Sequence, residues 1–332
     1  MRVLVTGATG FVGLGLCRRL AARGDEVVAL SRSPDKDGLL ANTAVRIQRG
    51  DLDDVRALAR GMEGCQLVFH VAALARAAAP DPQAFHRVNV EGTRRVLELA
   101  RAAGGPRVVH TSTAAVLGPS IGGPLDESAP PPRSHLTEYS RTKALAEAAV
   151  RDHLDAGHDA VIVNPTRIYG PTPLRPLPMI DQILSWLVRS AWAVLPGGAA
   201  VGNYVDIDDV VEGHLLAASH GHTGERYLLG GTDLSFPDLA RALDEACGRR
   251  HLWLPMPELG AAAAAQVVGA IAALSGRPSP LPVGAVRRYY RDWAMSSEKA
   301  RRELGYRPRP IREGLARTVA WLRSGPPAEE VP

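Results

Sequence analysis

Aromatic side chains are scarce in this chain, cysteine and lysine scarcer still, and no hydrophobic run is long. Aromatics make up 5% of the 332 residues, too few for a surface that stacks single-stranded nucleic acid. Cys17, Cys65 and Cys247 are odd in number and far apart, which argues against a disulfide framework or a cysteine metal site and for a reducing compartment. No stretch reaches the ~18 apolar residues of a membrane span, and the opening MRVLVTG reads as a strand without a charged and apolar leader. The expected location is the cytoplasm. The nearest approach to a span, Gly260 to Leu274, is short and alanine-rich, and is expected to be a helix packed on the protein's own body. Charge of one sign is not in excess either. Lys+Arg total 39 against 35 Asp+Glu, and the arginines are spread without a basic run, so a net +4 does not imply nucleic acid.

What is present is an ordinary globular composition, 45% hydrophobic and 22% charged, long enough for one large domain or two. The first half alternates short β-branched runs with helical segments, the pattern of parallel strands joined by crossover helices. Strands are predicted at Arg2 to Thr6, Glu26 to Leu30, Val45 to Gln48, Leu67 to His70, Arg107 to Thr111 and Ala160 to Asn164. Helices are predicted near Phe11 to Arg23, Val55 to Arg60, Pro82 to Ala103 and Glu138 to Ala156. The fold class is therefore α/β, a doubly wound parallel sheet of Rossmann type, with ligands at the carboxyl ends of the strands. Residues 1–165 are expected to form the dinucleotide-binding domain, its sheet completed by parts of 200–230. Residues 166–324 are expected to form a smaller mixed substrate-binding region, and 325–332 a disordered tail. Two Pro/Gly-rich loops, Gly118 to Arg133 and Gly170 to Pro178, should rim the ligand cleft.

Gly7, Gly10 and Gly13 lie in TGATGFVG, directly after the first strand and opening the first helix. Backbone amides of such a turn face a pyrophosphate with no side chain in the way, and the expected contacts are Gly7, Thr9, Gly10, Phe11, Val12 and Gly13. An acidic residue ending the second strand would bind a ribose 2′-hydroxyl, whereas a cation accommodates a 2′-phosphate. Here Ser31 and Arg32 stand at that place, with Lys36 nearby and Asp35 and Asp37 set off beyond Pro34, so NADP is the expected cofactor.

Tyr139 and Lys143 in EYSRTK are four residues apart and share one helix face, so an ammonium can approach both the phenol and a bound ribose. A nearby cation favours phenolate and moves a group of pKa about 10 toward a useful range. Only Lys36, Lys143 and Lys299 are lysines in a chain that otherwise uses arginine, which suggests that position 143 requires a compact point charge. Upstream, Thr111, Ser112 and Thr113 end the fifth strand, where a hydroxyl can orient a substrate carbonyl beside the tyrosine.

Together with GDLDD (Gly50 to Asp54), HVAA (His70 to Ala73), VNVEGT (Val88 to Thr93), NPTRIYGP (Asn164 to Pro171), NYVDIDDVVEGH (Asn203 to His214) and SSEKARRELGYRP (Ser296 to Pro308), these motifs resemble the extended short-chain dehydrogenase/reductases. This is the NAD-dependent epimerase/dehydratase superfamily, and within it the likeness is to dihydroflavonol-reductase-like and hopanoid-associated proteins. The resemblance implies a catalytic triad of Thr113, Tyr139 and Lys143, with Ser112 as the fallback hydroxyl. It places Asp51 and Leu52 at the adenine, Ala72 and Ala73 along the nicotinamide half, and Thr111, Pro165 and Thr166 among the cofactor contacts. Asn89 would lie beneath the lysine, as a buried structural amide or a proton relay. His70 and Asp209 read as structural. Asn203 and Tyr204 join Thr113 and Tyr139 as expected substrate contacts. Nucleotide-sugar epimerases usually carry a diphosphate-binding arginine two residues before the aromatic of that strand, where this chain has Gly202. The expected activity is reduction of a mostly apolar ketone or aldehyde, or the reverse oxidation, with a nucleotide-sugar epimerase or dehydratase and a non-catalytic NADP sensor as alternatives. By analogy the helices Pro82 to Ala103 and Glu138 to Ala156 would form a homodimer interface. No metal is expected.

Overall fold

The computed structural model describes residues 1–325 except 42, 77, 176, 178, 275–278 and 280–281. The expected disordered tail lies, apart from Gly325, outside the described residues, as do parts of the loop Gly170 to Pro178. The strands are β1 (Arg2–Thr6), β2 (Glu26–Ser31), β3 (Val45–Arg49), β4 (Leu67–His70), β5 (Arg107–Thr111), β6 (Ala160–Pro165), β7 (Arg167–Tyr169), β8 (Trp192–Leu195), β9 (Val201–Asp206), β10 (Arg226–Leu229), β11 (Thr232–Ser235) and β12 (Leu252–Pro255). Seven of them form one sheet in the order β10-β6-β5-β4-β1-β2-β3, every pair parallel.

Side-chain alternation along these strands divides the core into two layers, one on each side of the sheet. Val3, Val5, Val27, Ala29 and Phe69 point into one layer with Leu16 and Leu20 of helix Phe11–Ala22 and Val210 and Leu215 of helix Ile207–His220. Leu4, Val28 and Val68 point into the other, against Leu58 and Met62 of helix Val55–Met62, Val96 and Leu97 of Gly92–Ala102, and Val150 of Glu138–Asp155. The carboxyl ends of β1, β4, β5 and β6 consequently open on one edge, where Gly7, Ala72, Thr113 and Thr166 follow them.

Two predicted helices differ in detail. The single helix expected over Pro82 to Ala103 is instead Gln83–His86, a π-helical turn over Arg87–Glu91, and Gly92–Ala102. The alanine-rich segment is helical over Glu258–Leu274, but of its residues Ala265 is buried while Leu259 and Leu274 are 86% and 90% exposed. It is therefore attached to the body along a narrow line rather than packed over a face, and its larger apolar side chains Val267 and Ile271 are exposed as well. Among the described residues no helix is long and apolar enough to cross a membrane.

Beside the main sheet, β7, β9 and β11 form a three-stranded sheet and β8 pairs with β12. The segment carrying Trp293 and Met295 is laced between this small sheet and the loop after β5. Trp293 N donates to Val201 O (2.8 Å), Met295 N to Asp233 Oδ1 (3.2 Å), and Ser120 N and Leu125 N to Asp292 O and Ala294 O. That lacing brings residues 288–295 over the cleft.

His214 ties the helix Ile207–His220 to β5. Its Nδ1 donates to Val210 O (2.7 Å), which leaves Nε2 to accept the Thr111 hydroxyl (2.9 Å). Burial holds the imidazole down at about 4, against about 6.5 in an unfolded chain. Between those values the unfolded chain binds more protons, so stability falls as pH drops from about 6.5 to about 4. The loss attributable to this side chain is on the order of 3 kcal/mol. Urea midpoints at pH 7, 5 and 4 should show His214→Gln losing part of that acid sensitivity; an unchanged slope would contradict it.

Candidate functional site

The first glycine turn is built by close approach. A Cβ at Gly13 would lie 2.1 Å from Gly7 O, so no other residue fits there without moving the turn. Gly10 N donates to Gly7 O (2.9 Å), and Gly10 caps the helix Phe11–Ala22 without a side-chain hydrogen bond. The first amides of that helix, at Phe11, Val12 and Gly13, therefore point outward with no side-chain acceptor, the geometry an anionic phosphate requires. Ala72 N donates to Thr6 Oγ1 (3.2 Å), which fixes the start of the loop after β4, with Ala73, beside the turn.

At the end of β2 the tertiary structure adds a feature that sequence reading missed. The seven-residue 3₁₀ segment Pro34–Leu40 folds Asp37 back, so that Ser31 Oγ donates to Asp37 Oδ1 (2.8 Å) and Arg49 forms an ion pair with the same carboxylate. A carboxylate does reach this corner, already engaged by a cation from β3. Arg32 and Lys36 are exposed, and Arg32 has no partner among the described residues. Asp51 accepts from Asp53 N (2.9 Å) and Asp54 N (3.1 Å) and shapes the loop that carries Leu52, which is buried.

Helix Glu138–Asp155 starts at Thr137, whose side chain accepts from Ser140 N, and presents Tyr139 and Lys143 toward the end of β5. Burial pushes the Tyr139 phenol up; the Arg288 guanidinium and a hydrogen bond with Thr113 pull it back. The Thr113 hydroxyl thus sits at the phenol, whereas the Ser112 hydroxyl is buried without a partner among the described residues. Lys143 is buried, its Nζ 3.4 Å from His110 Nε2. Burial lowers the amine to about 8, with Glu147 opposing the shift. The cation that acts on the phenol in this geometry is Arg288, a residue that sequence spacing did not connect to Tyr139.

Asn164 and Glu147 were also missed. Asn164 Nδ2 donates to Thr113 O (3.0 Å) and to Glu147 Oε1 (2.8 Å), and Glu147 is ion-paired with Arg226. Glu147 stands four residues after Lys143 on the same helix face, a spacing that was visible in EYSRTKALAE. Asn89 lies in the π-helical turn, accepts from Leu74 N (2.7 Å) and donates to Thr142 Oγ1 (3.0 Å), so it joins the loop after β4 to the helix of Lys143. His70 bridges Thr6 (2.8 Å) and Thr93 (2.9 Å), and Asp209 accepts from Arg309 N (2.9 Å); both make structural contacts.

Beside Thr113, the residues Thr166, Arg167, Arg288, Trp293 and Met295 surround a cavity of about 10 Å³. Pro165 closes β6 against Leu229 of β10. Asn203 lines the cavity with its amide fully used: its oxygen accepts from Thr166 Oγ1 (2.8 Å) and Gly231 N (2.9 Å), and its nitrogen donates to Asp233 Oδ1 (2.7 Å) and Met295 O (3.2 Å). Tyr204 reaches the cavity through Arg167 Nη1, which donates to its hydroxyl (3.0 Å). A Cβ at position 202 would lie 2.3 Å from that same Nη1, so the glycine there makes room for Arg167.

A doubly wound parallel sheet with a glycine turn after its first strand, and a tyrosine and lysine one helical turn apart at the same edge, defines a nicotinamide-dinucleotide enzyme of Rossmann type. The chain belongs to the NAD dependent epimerase/dehydratase family, whose model matches residues 3–230. It is 37% identical to a 4-hydroxy-2-methyl-3-oxo-4-farnesyl-3,4-dihydroquinoline-1-oxide ketoreductase of Stigmatella aurantiaca, over 92% of each chain. It is 35% identical to sterol demethylase protein B of Methylococcus capsulatus, over 97% of this chain and 98% of that one. Among solved structures, a double mutant of a dTDP-glucose 4,6-dehydratase from Streptomyces venezuelae with NAD bound superposes with a TM-score of 0.76 at 29% identity, over 97% of both chains.

Proposed function

We propose that this protein is an NADP-dependent reductase that converts a ketone or aldehyde to an alcohol, and catalyses the reverse oxidation, with Thr113, Tyr139 and Lys143 as its catalytic residues. The observation that carries this reading is the approach of the Thr113 hydroxyl to the Tyr139 phenol at the carboxyl edge of the sheet that also holds the glycine turn. The bound nicotinamide supplies hydride. Tyr139 donates the proton to the carbonyl oxygen, Thr113 holds that oxygen in line, and Lys143 keeps the phenol's proton supply poised and binds the ribose. Gly7, Thr9, Gly10, Phe11, Val12 and Gly13 would cradle the pyrophosphate, and Arg32 with Lys36 the 2′-phosphate. The body of the substrate is apolar, in keeping with the Ala114, Ala115, Trp293 and Met295 walls. The ketoreductase relative supports reduction of a ketone.

The dehydratase relative with NAD supports a second reading, in which the cofactor is oxidised and reduced within one cycle on a nucleotide sugar. Cofactor consumption separates the two. A panel of carbonyl compounds and nucleotide sugars is mixed with purified protein and NADPH, and absorbance is followed. Stoichiometric NADPH oxidation by a carbonyl compound is the expected result. Conversion of a nucleotide sugar with no net change in the cofactor would replace the reductase reading by the second.

A further inference from the structure

Two guanidinium groups line the cavity beside Thr113, and among the described residues no carboxylate forms an ion pair with either. Arg167 enters from β7, and Arg288 from the turn Arg288–Tyr290. One terminal nitrogen of Arg167 is held by Tyr204 (3.0 Å), while its Nη2 and the Nε of Arg288 are sealed from water and lack a hydrogen-bond partner among the described residues. Aromatic faces support both planes, Tyr204 and Tyr289 under Arg167 at 5.5 and 5.6 Å and Trp293 under Arg288 at 5.1 Å.

The nearby carboxylates are engaged elsewhere. Asp233 takes Asn203 and Met295 N, Asp292 takes Val201 N, and Glu147 takes Arg226. Burial, and next the charge of Arg167, bring the Arg288 guanidinium down to about 10. Two like charges in one small cavity with unmade hydrogen bonds form a costly arrangement unless an anion completes it.

We infer that Arg167 and Arg288 form a clamp for a carboxylate on the substrate, beside the carbonyl that Tyr139 serves, so that the substrate is an oxo acid with an apolar body. This inference rests on the reductase reading for the carbonyl and on the arginine geometry for the acid. Each guanidinium has one nitrogen with its hydrogen bonding unmade, and a carboxylate has one oxygen to offer each. Ala114, Ala115, Trp293 and Met295 share the walls of the cavity with the two arginines, so an apolar body can lie beside the acid. The position opposite Gly202 is then the specificity element: the space a side chain would take there belongs to the clamp.

The test uses the full-length protein loaded with NADP. Binding is read by calorimetry for a medium-chain 3-hydroxy acid and its amide, and turnover with NADPH for the corresponding 3-oxo acid and its methyl ester. The acid is expected to bind on the order of 10- to 100-fold tighter than the amide, and the oxo acid to be preferred to its ester by a similar factor. Arg167→Leu and Arg288→Leu should each bring the acid-to-amide ratio toward one, and Arg167→Lys should restore only part of it. Equal binding of acid and amide by the wild-type protein overturns the clamp, and that comparison depends on no variant folding. Arginine-dependent binding of the acid without reduction of any carbonyl leaves the clamp standing and removes the reductase reading. Binding of a UDP- or dTDP-sugar that displaces the acid and is lost in both variants overturns the carboxylate in favour of a diphosphate.

Discussion

Tyr139→Phe is expected to reduce turnover by at least 10²- to 10⁴-fold, the usual contribution of a positioned proton donor, while leaving NADP affinity within about twofold. The substitution keeps the ring and its packing and removes only the hydroxyl that faces Thr113. Lys143→Arg is expected to fail as well, although it preserves charge. Lys143 is 1% exposed with its Nζ 3.4 Å from His110 Nε2, and a planar fork cannot occupy the space of a compact ammonium there. Steady-state kinetics together with fluorescence titration of the cofactor separates the two effects. Wild-type turnover in either variant would remove the assigned roles, and loss of cofactor binding in Tyr139→Phe would show that the residue is structural.

Arg32→Ala is expected to weaken NADPH binding by about 1.5 to 3 kcal/mol, the loss of a charge-assisted contact to the 2′-phosphate, which is roughly 10- to 150-fold in Kd. NADH binding should scarcely change. Arg32 is exposed and has no protein partner among the described residues, so the change removes no internal contact. The rival for this corner is Asp37, brought to Ser31 by the Pro34–Leu40 turn and paired with Arg49. Were Asp37 the ribose ligand, Asp37→Ala would weaken NADH binding and Arg32→Ala would affect both cofactors alike. Paired titrations of the two cofactors against the two variants decide between them.

The parallel sheet was legible in the sequence because buried strands and the helices between them impose periodicities of 2 and 3.6 that survive in short windows. Each predicted strand of the first half lies within one residue of its observed end. The glycine turn was legible for a related reason: Gly13 is forced by a backbone oxygen only six residues earlier in the chain, so the constraint is written locally. The Tyr139 and Lys143 pair was visible because one helical turn brings residues four apart together.

What only the tertiary structure decided involves partners far apart in the chain or elements too short to show a period. Strands β7, β8, β11 and β12 have three or four residues, and their hydrogen bonds come from distant segments, so neither alternation nor propensity marks them. The π-helical turn that carries Asn89 looks like ordinary helix in sequence, since it adds one residue to a turn without changing composition. Arg288 stands 149 positions from Tyr139 and is one arginine in a chain rich in them; only the lacing of residues 292–296 to the loop after β5 and to the small sheet brings it to the phenol. The same holds for Gly202. Its sequence shows the absence of a side chain, and the fold shows that the vacated space holds the guanidinium of Arg167, because a cation's neighbours are set by packing across the cleft and not by spacing along the chain.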